Sequence, residues 1–144
     1  MSTETTEPVQ QPAMPMPKGT LVPYLMVSDA NAASLFYQKA FGAEEVSRIP
    51  GDSGDGRLIH CHLYVNGQSL MLNDPMPEHG YPLQAAQGYT LTLIVDDIDA
   101  WFQRAVEAGA TVITPVQTMF WGDRFGALVD PFGVPWAMNE SAKR

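Results

Sequence analysis

The chain has 144 residues and a mass of 15.8 kDa, with 45% hydrophobic and 17% charged residues, enough for one packed domain and too apolar for wholesale disorder. A single cysteine, Cys61, excludes an internal disulfide framework and a thiolate zinc cluster. A formal charge of −8 with only eight Lys+Arg excludes a general phosphate-backbone binder, so no nucleic-acid partner is expected. No run of ~18 apolar residues and no basic-then-apolar leader occurs, so neither a membrane partner nor a secretory signal is expected, and a cytoplasmic location follows.

In chain order, residues 1–18 read as a disordered tail, with Pro8, Pro12, Pro15 and Pro17 set among Thr, Gln and Glu. Such a stretch has too little apolar surface to offset its ordering entropy. Leu21 to Val27 is a strand, and Asp29 caps a helix that Gly42 stops. A short strand from Ala43 to Ile49 follows. Two more, Arg57 to Val65 and Ser69 to Asn73, flank Asn66-Gly67, the strongest hairpin signal. The glycine-rich run from Gly51 to Gly56 lies between strands and lacks the Gly-Lys-Ser/Thr ending of a nucleotide loop.

After a proline- and glycine-rich linker from Asp74 to Gly88 the plan repeats. Tyr89 to Val95 is a strand, Asp96 or Asp97 caps a helix, and Gly109 stops it. Strands follow at Ala110 to Ile113, then at Arg124 to Val129 and Val134 to Met138 around the Asp130-Pro131-Phe132-Gly133 turn. The expected fold is α+β, two βαβββ modules forming a cupped mixed sheet. The domain spans residues 19–140, with modules 19–80 and 88–140, and residues 141–144 form a short C-terminal tail.

Alternation assigns the faces, since strand residues two apart share one. Ile59, Cys61, Leu63 and Val65 form an apolar set for the helix side, with Leu70, Leu72, Leu91, Leu93, Val95, Phe125, Ala127 and Val129. Leu58, His60, His62 and Tyr64 form a mixed set, joined by Ser69, Met71, Asn73, Arg124, Gly126 and Leu128. Leu35, Phe36, Phe41, Ile98, Trp101 and Phe102 are the expected helix residues over the core. The mixed face is a candidate ligand cup.

Several segments together carry a specific resemblance. They are Pro23-Tyr24-Leu25, Phe36-Tyr37 with Phe41-Gly42-Ala43-Glu44, His60 before Leu63, and Leu70-Met71-Leu72-Asn73-Asp74. Phe120-Trp121-Gly122-Asp123-Arg124-Phe125-Gly126 and Asp130-Pro131-Phe132-Gly133-Val134-Pro135-Trp136 complete the pattern. From Val22 to Asn139 the chain resembles the PhnB-like branch of the vicinal oxygen chelate superfamily, which includes glyoxalase I and the bleomycin-resistance proteins. The resemblance implies paired βαβββ modules, a cupped sheet and a homodimer. It does not imply a reaction.

The resemblance also implies one metal ligand on the first and one on the last strand of each module, as His, Gln or Glu. Here those positions fall at Val22, Met71, Thr90 and Ala137, with same-face neighbours Tyr24, Asn73, Thr92 and Asn139. These are poor donors for a hard divalent ion. No metal site and no cofactor are therefore expected, and classical glyoxalase I activity is not expected either.

The ligand-binding candidates are Tyr24, His60, His62, Asn73, Trp121 and Arg124. His60 and His62 share a strand face and read either as neutral pocket-wall residues or as a rearranged metal pair, with His79, Asp74 or Asp123 as a third ligand. Trp121 reads as an aromatic platform over the cup or as a core-edge anchor. Arg124 reads as the partner of a carboxylate or phosphonate, or as half of a salt bridge with a helix or tail acid. Cys61 reads as a buried, inert thiol.

The leading functional reading is a binder of a small organic ligand. One alternative is a divergent lyase, isomerase or dioxygenase built around His60 and His62. The other is a structural or regulatory dimer that recruits a partner through its tail.

Overall fold

The computed structural model describes residues 14–143. The first module runs β1 (Tyr24–Met26), α1 (Ala30–Phe41), β2 (Glu44–Pro50), β3 (Leu58–Val65) and β4 (Gln68–Asn73). A single 3₁₀ turn, Pro77–His79, lies in the linker. The second module runs β5 (Leu91–Ile94), α2 (Ile98–Ala108), β6 (Thr111–Thr118), β7 (Arg124–Val129) and β8 (Pro135–Glu140).

Each helix forms where its end signals stand. The Asp29 carboxylate accepts the Ala32 N–H at 3.0 Å, satisfying a donor that the first turn leaves without a helical partner. Asp97, not Asp96, does the same for Ala100 at 3.2 Å. Gly42 ends α1 at φ +66°, in the left-handed region where a Cβ is costly. Asn66 and Gly67 both have positive φ, 50° and 77°, the pairing that matches the twist of a two-residue hairpin.

Each module folds into a four-stranded mixed sheet, ordered β1-β4-β3-β2 and β5-β8-β7-β6. The first strand of a module pairs parallel with its last, and the other pairings are antiparallel. This is the expected α+β architecture. One continuous core lies between sheets and helices. The modules interlock through it: the Tyr37 hydroxyl of α1 donates to Asp130 in the β7–β8 turn at 2.5 Å, and Phe41 packs on Trp136 with ring centroids 4.7 Å apart. The Arg104 guanidinium of α2 donates to the Lys39 carbonyl at the end of α1, 2.9 Å away.

Four expectations are corrected. The β2–β3 register shifts between Ile49 and Pro50, which turns Leu58 into the core and leaves Ile59 47% exposed, the reverse of strict alternation. In β7 the buried residues are Gly126 and Leu128, not Phe125 and Ala127. The ring of Phe102 lies so close that a Cβ on Gly126 would sit 2.8 Å from it, so the glycine marks the helix side. In α1, Leu35 is exposed and Tyr37 is fully buried. β6 runs on to Thr118, well past Ile113.

The tail expectation divides. Residues 1–13 lie outside the described residues. Lys18, by contrast, pairs with β4: its N–H donates to Ser69 Oγ at 2.7 Å and its carbonyl accepts the Ser69 N–H at 2.9 Å. At the other end, Asp123 holds the Ala142 N–H at 2.8 Å. Among the described residues no helix is long and apolar enough to cross a membrane.

Candidate functional site

The face of the first sheet opposite α1 is built by register. Tyr24 on β1 stands beside Met71 on β4, which stands beside His62 on β3. With Tyr64 one step along β3 and His60 one step the other way, four rings form a ladder. Their centroids are 5.7 Å apart for Tyr24 and His60, 6.4 Å for His60 and His62, and 5.2 Å for His62 and Tyr64. The Lys18 ammonium lies over the Tyr64 ring, 4.1 Å from its centroid.

Hydrogen bonds orient the two histidines differently. His62 is buried, and its Nε2 is 2.7 Å from Ser69 Oγ. That hydroxyl also accepts the Lys18 N–H, so Ser69 ties His62 to the segment before β1. Burial, with His60 beside it, holds His62 below its ordinary value and keeps it neutral. His60 is half-buried, with Nδ1 2.9 Å from the Tyr24 hydroxyl, and that hydroxyl also reaches the Ile59 carbonyl at 3.2 Å. Nε2 of His60 has no bonded partner among the described residues. Burial raises the Tyr24 phenol above its ordinary value, with a smaller contribution from Cys61.

Asn73 lies at the end of this face, in a cleft of about 330 Å³ that it shares with Met26, Ile59, Met76, His79 and Tyr81. Tyr24, His60, His62 and Asn73 therefore come together on one surface. Two candidates do not join them. Trp121 sits on the β6–β7 loop of the second module, half-exposed and edge-on to the exposed ring of Phe120, 4.8 Å between centroids. The Arg124 guanidinium is held by the Asp99 carboxylate at the start of α2, with bonds of 2.6 and 3.0 Å. Arg124 shares the helix side with Gly126 and Leu128, so of its two readings the salt bridge is the one formed. Tyr64 and Ser69 share the ladder face by plain alternation, but only their contacts with His62 and Lys18 single them out.

Cys61 lies on the other side of the sheet, fully buried, with Sγ 3.3 Å from Glu45 Oε1. Burial, with that carboxylate beside it, pushes the thiol up to about 12, which makes it a poor nucleophile.

A model of the Glyoxalase/Bleomycin resistance protein/Dioxygenase superfamily matches residues 19–138. The chain belongs to this superfamily. Among its superfamily relatives, the uncharacterised protein Mb0911c of Mycobacterium bovis is 43% identical over 85% of this chain and 84% of its own. Of the solved structures, protein PA1353 from Pseudomonas aeruginosa is 30% identical, with a TM-score of 0.71 over 85% of this chain and 98% of that one. A PhnB protein from Bacillus cereus is 25% identical, with a TM-score of 0.64 over 85% of this chain and all of its own, 100%.

The metal positions implied for the superfamily are a test of chemistry. Val22, Met71, Thr90 and Ala137 offer a hydrocarbon, a thioether, a hydroxyl and a methyl group, and the pairings Tyr24 with Met71 and Thr92 with Ala137 add a phenol and a second hydroxyl. Such a set does not fit a hard divalent ion that needs carboxylates and imidazoles. Among the described residues no three His, Cys, Asp or Glu side chains stand together for a metal. An ion bound through His62 Nε2 would also require His62 to surrender its Ser69 bond.

Proposed function

We propose that this superfamily member binds a small organic ligand on the Tyr24–His60–His62–Tyr64 face, without the metal of its enzymatic relatives. The observation that carries this reading is the exchange of donors at Val22, Met71, Thr90 and Ala137 beside an intact ring ladder. Lys18 is the cation seated on the ladder, while the arginines nearest in sequence to the sheet edges are engaged elsewhere: Arg48 with Glu45, Arg57 with Asp55 and Glu78, and Arg124 with Asp99. A neutral, flat, ring-bearing compound suits such a surface, since stacked or edge-on rings add about 0.5–1.5 kcal/mol per pair beyond area burial. His60 Nε2 and Asn73 supply the polar contacts that orient it. The second sheet, with exposed Ile94 and the Phe120–Trp121 tip, serves as the surface for a second copy in a homodimer.

Thermal-shift titration tests the reading. Neutral heteroaromatic probes should raise the melting temperature of the wild-type chain, since a ligand at 100 times its dissociation constant stabilises by about 2.7 kcal/mol. Tyr24→Ala and His60→Ala should abolish that rise, whereas nickel, zinc and manganese should produce none. About one metal per chain in elemental analysis, lost when both His60 and His62 become Ala, would overturn it and favour an enzyme.

A second reading rests on the Tyr24–His60 bond of 2.9 Å. With the Tyr24 hydroxyl donating to the Ile59 carbonyl and Nδ1–H donating to the Tyr24 oxygen, His60 Nε2 would carry the free lone pair of a general base.

A further inference from the structure

We propose that the cleft beside Asn73 receives an uncharged alkyl arm of the ligand, so that the compound bound here is a flat ring carrying a short apolar chain. This rests on the ring-face reading above and adds a second contact to it. The cleft continues the ladder by register: Met26 and Asn73 are the next pair along the face from Tyr24 and Met71. Two residues along a strand advance about 7 Å, so a ring resting on Tyr24 and His60 reaches the cleft through its own substituent. The bulge that breaks alternation in β3 gives Ile59 to this cleft. Its carbonyl accepts the Tyr24 hydroxyl at 3.2 Å, while its side chain, 47% exposed, lines the opening with Met76. Ile59 Cγ2 and Met76 Cε each lie 3.4 Å from where a Cβ on Gly51 would stand, so side chains from two segments meet there.

The far wall is already built. Met76 and Tyr81 exchange two backbone hydrogen bonds, of 2.7 and 3.0 Å, around the 3₁₀ turn. The Arg57 guanidinium fastens that turn, donating to the Pro75 carbonyl at 3.2 Å and to Glu78 Oε2 at 3.0 Å. Asp74, the carboxylate in the wall, is buried and spent on the N–H groups of Ala30 and Leu58, each at 2.7 Å. What remains to meet an occupant is two thioethers, the Ile59 side chain and the exposed Tyr81 ring. Such a lining rewards burial of hydrocarbon and gives a charged group no free partner of opposite sign. At about 330 Å³ the cleft is at the small end of ligand pockets, the size for an arm instead of a whole ligand. A wall that needs no ordering on binding loses little affinity to entropy.

NMR titration of the full chain, labelled at the methionine methyls and histidine rings, tests this with indole and 3-alkylindoles from methyl to butyl. Affinity should rise about fourfold with each methylene, the Met26 and Met76 methyl signals should shift only with the alkylated probes, and a carboxylate ending the same arm should cancel the gain. Ile59→Asn and Met76→Gln should each flatten the rise. Indole that binds while the alkyl series stays flat in the wild type would overturn the inference and leave the ring-face reading standing. Alkylindoles that shift Met26 and Met76 but not the His60 and His62 rings would support the cleft and overturn the ring face, and no binding by any member would overturn both. Met26 and Met76 signals that change on dilution without any probe would assign the cleft to a second copy and overturn the inference.

Discussion

At the scale of single residues, burial and one neighbour decide what His62 and Cys61 do. His62 is held below its ordinary value of 6.5, so the unfolded chain takes up its proton first as pH falls. The sign follows directly. This contribution is fully present above about pH 6.5 and is lost as pH drops through the folded value. Urea melts of the wild type should therefore weaken between pH 7 and pH 5, and the decline should flatten in His62→Gln, whose amide can still meet Ser69. A wild-type profile that rises over this range would contradict the assignment. For Cys61, burial and Glu45 imply that a thiol reagent reacts slowly with the native chain and at an ordinary rate once it is unfolded. Rapid native labelling at neutral pH would place the thiol at the surface.

At the scale of elements, end signals act locally, whereas strand faces depend on what lies opposite. The Asp29 and Asp97 caps and the Gly42 and Gly109 stops act through the backbone groups of their own helix ends, which is why their positions are legible in sequence. β3 and β7 differ. In β3 one bulge exchanges the roles of Leu58 and Ile59. In β7 the small side of the strand, Gly126, lies under Phe102, so an amino acid without a side chain marks the core face. Gly126→Ala should cost about 1–3 kcal/mol, because its Cβ meets a buried ring and a Val116 methyl only 3.1 Å away. Denaturant unfolding measures this, and Phe102→Leu should relieve part of the loss. An additive double mutant would separate the two residues.

At the scale of the whole molecule, Asp130 joins the modules. It is buried, and its Oδ1 accepts the N–H groups of Phe132 and Val134, while its Oδ2 accepts the Tyr37 hydroxyl and the Trp136 indole. Burial and the Asp130 carboxylate together raise the Tyr37 phenol well above its ordinary value, so it remains a donor across the accessible pH range. Asp130→Ala leaves several buried donors without partners and should cost roughly 3 kcal/mol or more. Tyr37→Phe, which leaves only the carboxylate short of one bond, should cost about 1–2 kcal/mol. Both variants should still unfold in one transition by circular dichroism and tryptophan fluorescence, since the modules share a core. Separate transitions for the two probes would show that each module folds alone.

The sequence by itself determined the two-module plan, both helices with their caps, the Asn66-Gly67 hairpin and the superfamily, because each rests on short-range chemistry or on a repeated pattern along the chain. It also determined that Tyr24, His60, His62 and Asn73 share a face, since alternation holds through β1, the middle of β3 and β4. Tertiary structure alone decided the rest. The close approach of α2 turned β7 over and delivered Arg124 to Asp99. A register shift at Ile59 set the edge of the cleft. The crossing of Met16 over Tyr64 brought residues expected as tail onto the ring ladder. Each depends on a partner distant in sequence, whose position no local pattern encodes.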